Sequence, residues 1–197
     1  MASKRLNTVP TVLIIAERTY CTSFDDWYSR VLILQDLLPF FPSLGLQVRN
    51  KTLASTREFA CLLPQLKPCP QLWLNGTLSL KLPFQRHLPE DQIEEAVALS
   101  HFASSIHSQH ALQKALRYSP QFLQYGAVFP TSKPVSPLGI SHLQQICLSS
   151  PVPILAVGGI NSLEKIIECK RAGAYGVSIG SWIMQANDMK QRIEGIA

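Results

Sequence analysis

The chain has 197 residues, 46% hydrophobic and 16% charged, a balance that excludes disorder and predicts one compact soluble domain over residues 1–197 with many buried strands. No run approaches the ~18 apolar residues of a membrane span, and the start, MASKRLNTVPTVLIIAERTY, is charged too soon for a secretion signal, so a cytoplasmic protein without a membrane partner is expected. The net charge of +5 is dispersed, with no basic run interleaved with aromatics; this speaks against nucleic acid and for an anionic small molecule.

Along the chain, short apolar runs alternate with amphipathic stretches, the pattern of repeated βα units around a parallel sheet. The predicted strands are Thr11–Glu17, Leu44–Lys51, Gln71–Asn75, Gln85–Leu88, His101–His107, Phe122–Phe129, Val152–Val157 and Gly176–Ser181. Eight such units predict an α/β fold of the (β/α)8 barrel type. Helical spacing is clearest in Ser108–Tyr118, where Ala111, Leu112, Ala115 and Leu116 share a side, and in Asn161–Ala172, where Leu163, Ile166, Ile167 and Lys170 do. Thr77–Phe84 is too short for a normal crossover helix, so the third helix is expected to be short or missing. The proline-rich patches Pro64–Pro70 and Pro130–Pro137 read as loops, because apolar strands resume after each. The five cysteines are odd in number and form no C-x-x-C pair, which points to reduced thiols rather than disulfides or zinc.

In a barrel the C-terminal strand ends share one mouth, so chemistry is sought there. Those ends carry Arg49, Asn50 and Lys51, then Asn75, then His87 with Glu90 and Asp91 beyond, then His107, and then Thr131, Ser132 and Lys133. Arg49 and Lys51, two apart on a strand, predict a paired cation on one face for a carboxylate or phosphate; solvated strand ends are the plainer alternative. Lys133 is either an anion ligand or simply exposed. Glu90 and Asp91 precede an amphipathic run and read as helix-capping carboxylates before metal ligands.

The last two predicted strands end in Gly158 and Gly159 and in Gly180 and Ser181, each with a helix-like stretch behind it. Bare backbone N–H groups delivered to one place predict a phosphate cradle; turn glycines between buried strands are the alternative. Among the five histidines, His107 is the expected chemical actor, since an imidazole at the mouth can move protons near neutral pH. His87 reads as a packed barrel residue hydrogen-bonded across strands, and His101, His110 and His142 as surface or helix residues.

The ordered segments LQVRNK (46–51), LWLNG (72–76), HLPED (87–91), SIHS (105–108), YGAVFPTSKP (125–134), ILAVGGI (154–160) and GAYGVSIGSWI (173–183) resemble the thiamine phosphate synthase superfamily, most closely its thiazole tautomerase (TenI-like) branch. The resemblance implies a (β/α)8 barrel and a phosphorylated thiazole as ligand. In the synthase branch a pyrimidine pyrophosphate is joined to a thiazole phosphate with Mg2+, held by an acidic residue after the strand-three asparagine and another in a Gly-Gln-Glu-Asp-like motif. Here Gly76 follows Asn75 and Pro89 stands where that motif would begin, although Glu90 and Asp91 remain.

The tautomerase branch needs no metal, and its S-x-H-S histidine, matched by His107, is the acid/base that turns a carboxylated dihydrothiazole phosphate into the aromatic thiazole. By the match, Gly158, Gly159, Gly180 and Ser181 hold the phosphate, while Arg49, Lys51 and Lys133 provide a positive rim; Asn75, Thr131 and Ser132, from the strand-end list, are the remaining candidate binding residues. Two departures are Asn50, where the family has glutamate, and the PTSKP loop, one residue short. The resemblance leaves three readings: a tautomerase without cofactor or metal, a Mg2+-dependent synthase, and a non-catalytic paralogue that binds such phosphates. A homodimer is left open.

Overall fold

The computed structural model describes residues 9–52, 54–76, 82–132, 134 and 136–196. Eight parallel strands close into a barrel in sequence order: β1 Val12–Glu17, β2 Leu44–Arg49, β3 Leu72–Asn75, β4 Gln85–Leu88, β5 Phe102–Ile106, β6 Leu123–Gly126, β7 Ile154–Val157 and β8 Gly176–Ile179. The helices are α1 Phe24–Leu37, α2 Ser55–Leu62, α3 Gln109–Leu116, α4 Ile140–Ser149, α5 Leu163–Arg171, α6 Ser181–Met184 and α7 Met189–Glu194. The β4–β5 crossover is instead a kinked 3-10 helix, Glu90–Ala98. Of the segment expected to lack a normal helix, residues 77–81 lie outside the described residues.

β1 and β7 read as nearly continuous apolar runs because both faces are covered, whereas β4 (QRHL) and β6 (LQYG) carry polar residues into the barrel wall. Their outward faces and the helices share the main core, in which Trp27 donates its indole N–H to Ala16 O at 2.9 Å and meets Phe59 edge-on at 6.0 Å. Inside the barrel, Leu13, Trp73, Ala103, Phe122 and Leu155 form a separate apolar cluster, with Trp73 and Phe122 in T-shaped contact. Nearer the C-terminal strand ends the interior turns polar. Gln124 donates to Gln47 across the barrel at 2.6 Å. One residue pair further along, the register aligns Glu17 with Arg49 and Arg49 with Asn75. Core packing thus closes the bottom and leaves a polar mouth.

Candidate functional site at the barrel mouth

The SIHS segment places its residues by elementary rules. Ile106 is the last residue of β5 and buried; Ser108 is the N-cap of α3, its hydroxyl accepting from Ala111 N–H at 3.0 Å. His107, held between a strand end and a capped helix, lines an open cavity of about 610 Å3 with Arg49, Lys51, Glu90, Asp91 and Ser105. Its Nδ1 lies 2.7 Å from Glu90 Oε2. A carboxylate can only accept, so Nδ1 carries a proton, and the ring in its neutral form has its lone pair on Nε2. Both side chains are largely open (59% and 39% exposed), so this contact orients the imidazole more than it stabilises the fold. Glu90 does open the 3-10 helix, as expected of an acidic first turn, but its carboxylate serves His107; the capping expectation overlooked that role.

Arg49 and Lys51 line the same cavity, yet the paired-strand expectation needs correction, because β2 ends at Arg49. The Asn50 side chain accepts from Thr52 N–H at 3.0 Å and turns the chain, which carries Lys51 beyond the strand. Asn50 also donates to Glu58, whose carboxylate takes Arg18 as well. Burial pushes the Glu58 carboxyl up, and the hydrogen bonds from Asn50 and Arg18 outweigh it, so the group titrates below its ordinary value. Arg49 is paired with Glu17, a buried carboxylate whose other oxygen has no partner among the described residues. Glu17 went unremarked in the sequence, although the strand-end rule that selects Arg49 also selects the last residue of β1.

Asn75 and His87 meet inside the barrel, Nδ2 to Nδ1 at 2.7 Å, which makes His87 the cross-strand packing residue anticipated. Burial first, then the charges of Arg49 and Lys51, pull its pKa down to about 3, so the ring is neutral at physiological pH. The buried Asn75 Oδ1 and His87 Nε2 have no hydrogen-bond partner among the described residues. Beside them, a Cβ on Gly76 would lie 2.7 Å from Phe59 Cε2, a buried ring.

On the other side of the mouth, Gly158 and Gly159 have φ of +99° and +69°, the left-handed region open to glycine. A Cβ on Gly158 would strike Ala127, and one on Gly159 the carbonyl of Pro130. The β6 loop lies this close because Val128 and Phe129 donate to the carbonyls of Val157 and Gly158 at 2.9 and 3.1 Å. Lys165 of α5 reaches back to Gly159 O at 2.8 Å, a contact not anticipated from sequence. Gly180 lies between β8 and α6, and Ser181 is the first residue of α6 rather than a strand end. The Tyr20 ring covers Gly180, 2.5 Å from where a Cβ would stand, and Trp182 is turned to Arg192 of α7. Thr131 and Ser132 sit in the loop beyond Gly126, where β6 ends, instead of at a strand end. Lys133 lies outside the described residues.

A family profile described as thiamine monophosphate synthase matches residues 74–183, more than half of the chain. The thiamine-phosphate synthase of Pyrococcus horikoshii is 34% identical over 95 residues, 47% of this chain and 45% of that protein. That of Lysinibacillus sphaericus is 33% identical over 116 residues, 54% of each. The chain thus spans about half the length of the curated relatives it matches. Among solved structures, a thiamine phosphate pyrophosphorylase from Pyrococcus furiosus superposes with a TM-score of 0.66 at 20% identity, covering 94% of this chain and 93% of the other. An N-acetylmannosamine-6-phosphate 2-epimerase from Clostridium perfringens does so at 0.58 and 13%, covering 95% and 93%. At these identities the superpositions speak to the barrel alone.

Proposed function

The chain belongs to the thiamine monophosphate synthase family, and from that premise we propose that it catalyses metal-independent tautomerisation of a phosphorylated carboxythiazole, with His107 moving the proton. The observation that carries this reading is the His107–Glu90 contact, 2.7 Å from Nδ1 to the carboxylate. Glu90 fixes the tautomer, and Nε2 is then a base within reach of the cavity. In the proposed reaction Nε2 removes a proton from the dihydrothiazole ring; the electron pair moves to aromatise the ring, and the exocyclic carbon takes a proton back. No electron is gained or lost overall. Arg49 and Lys51 are assigned the carboxylate end of the substrate, with Asn75 beside them. The phosphate end is assigned to Gly158, Gly159, Gly180 and Ser181, with Thr131 and Ser132 in the adjoining loop.

A diphosphate-bound Mg2+ is held by one or two carboxylates together with the substrate's own phosphates; here Phe59 occupies the side-chain space at position 76 and Glu90 meets His107, which supports the metal-independent reading, while Asp91 lines the same cavity. A second reading, the synthase, is favoured by the printed names of the relatives. Solvent exchange tests the first reading: in D2O the product takes up deuterium at the protonated carbon, and His107→Ala abolishes the uptake. Unlabelled product, or full uptake by the variant, overturns it.

A further inference from the structure

Lys165 stands in the first turn of α5, at the positive end of the helix, where a cation gains nothing from the helix itself. Its backbone N–H donates to the Ser162 hydroxyl at 3.4 Å, and its side chain turns back along the β7 loop. The ammonium donates to Gly159 O and to Asn161 Oδ1, both at 2.8 Å, and lies 5.1 Å from the centre of the Phe129 ring in the β6 loop. One charged group thus ties the start of α5 to both loops that border Gly158 and Gly159. Three successive carbonyls of the turn are held: Val157 O accepts from Val128 N–H, Gly158 O from Phe129 N–H, and Gly159 O from Lys165. A peptide unit is planar, with its C=O and N–H directed to opposite sides. Holding Gly159 O therefore also holds the Ile160 N–H, which points away from Lys165. Of the three carbonyls, Gly159 O is held by a side chain instead of the backbone, so a single substitution releases it.

We propose that Lys165 is the positioning residue for the phosphate end of the site: it fixes the Gly159–Ile160 peptide and sets a positive charge beside the turn, so that an incoming phosphate meets a preset backbone. Hydrogen bonds from a charged donor are the stronger kind, and the aromatic face adds a further attraction for the ammonium. Lys165 acts through the loop, because two oxygens and the ring already surround its ammonium. The role rests on the assignment of the phosphate to Gly158 and Gly159, and it is independent of proton transfer at His107. It adds a cation from a helix that the strand-end rule does not survey.

The test is a calorimetric titration of the full chain with inorganic phosphate at low and high ionic strength, with thermal unfolding of each variant alongside. Lys165→Met keeps an unbranched side chain without donor or charge; it is expected to bind phosphate about tenfold more weakly or worse, the scale of one hydrogen bond to a charged group, and to lose part of the salt dependence. Lys165→Arg restores donors and charge and should recover part of the affinity. Lys170→Met removes an exposed cation from the same helix and should bind as the wild type does. A purely structural lysine would change the unfolding temperature and leave the phosphate affinity of the folded protein as it was. Undiminished affinity in Lys165→Met, an equal loss in Lys170→Met, or no recovery in Lys165→Arg overturns the proposal. A wild type that binds no phosphate removes the cradle assignment and this role with it, whereas a wild type and a Lys165→Met variant that bind equally remove the role of Lys165 alone.

Discussion

The Phe59 ring fills the space that a side chain at position 76 would need, 2.7 Å from a Cβ built on Gly76. Phe59 is fully buried and packed edge-on against Trp27, so it has little room to retreat. Gly76→Asp is therefore expected to cost about 1–3 kcal/mol of stability, the usual scale for overpacking, and to create no Mg2+ site. Thermal unfolding with and without added Mg2+ checks both; a variant as stable as the wild type, or one stabilised by the metal, contradicts the steric account.

His107 and Glu90 are expected to separate by size of effect. His107→Ala should lower turnover by roughly 10²-fold or more, the scale of a positioned acid or base, with little change in substrate affinity. Glu90→Gln keeps the shape but offers an amide in place of the carboxylate that fixes the tautomer, so it should lower kcat by less, leave KM near its original value and alter the pH–rate profile. A Glu90→Gln profile that superimposes on the wild type shows that Glu90 does not act through His107.

His87 makes stability depend on pH. Its folded-state pKa of about 3 lies below the ordinary value of 6.5, so the unfolded chain binds the proton more readily. The neutral ring costs nothing above pH 6.5, and stability should fall as the pH drops from there towards 3, by a few kcal/mol in total. His87→Gln removes the titration. Denaturant unfolding from pH 7 to 4 should show a shallower decline in the variant than in the wild type; parallel curves contradict this.

Much of the barrel is legible in the sequence because strand patterning and helix caps act locally. Gln85–Leu88 is read to the residue, and Ser108 and Ser162 cap the helices where the apolar spacing begins. One error falls where a side chain redirects the backbone, Asn50 ending β2 before Lys51; others are strands read too long, β6 ending at Gly126 and β8 at Ile179. The strand-end rule names Arg49, Asn75 and His107, but it does not say which partner each selects. The pairings Glu17–Arg49, Glu90–His107, Tyr20–Gly180 and Phe59–Gly76 join segments distant in sequence, and they depend on barrel register and rotamer, which residue type and spacing do not encode.

The glycines of the β7 loop carry a structural burden besides any phosphate. Gly159 has φ +69°, and its Cβ would meet the backbone carbonyl of Pro130. Gly159→Ala is thus expected to destabilise by about 1–3 kcal/mol as well as to weaken phosphate-ligand binding. Unfolding and binding measured on the same sample distinguish the two; a variant with native stability removes the backbone requirement.

The most direct measurement offers the full chain each branch's substrates, with EDTA and with Mg2+. The account predicts conversion of the carboxylated dihydrothiazole phosphate to the aromatic thiazole phosphate at the same rate in both conditions, and loss of that conversion in His107→Ala. No conversion of that substrate, together with Mg2+-dependent formation of thiamine phosphate from the pyrimidine pyrophosphate and thiazole phosphate, would contradict it.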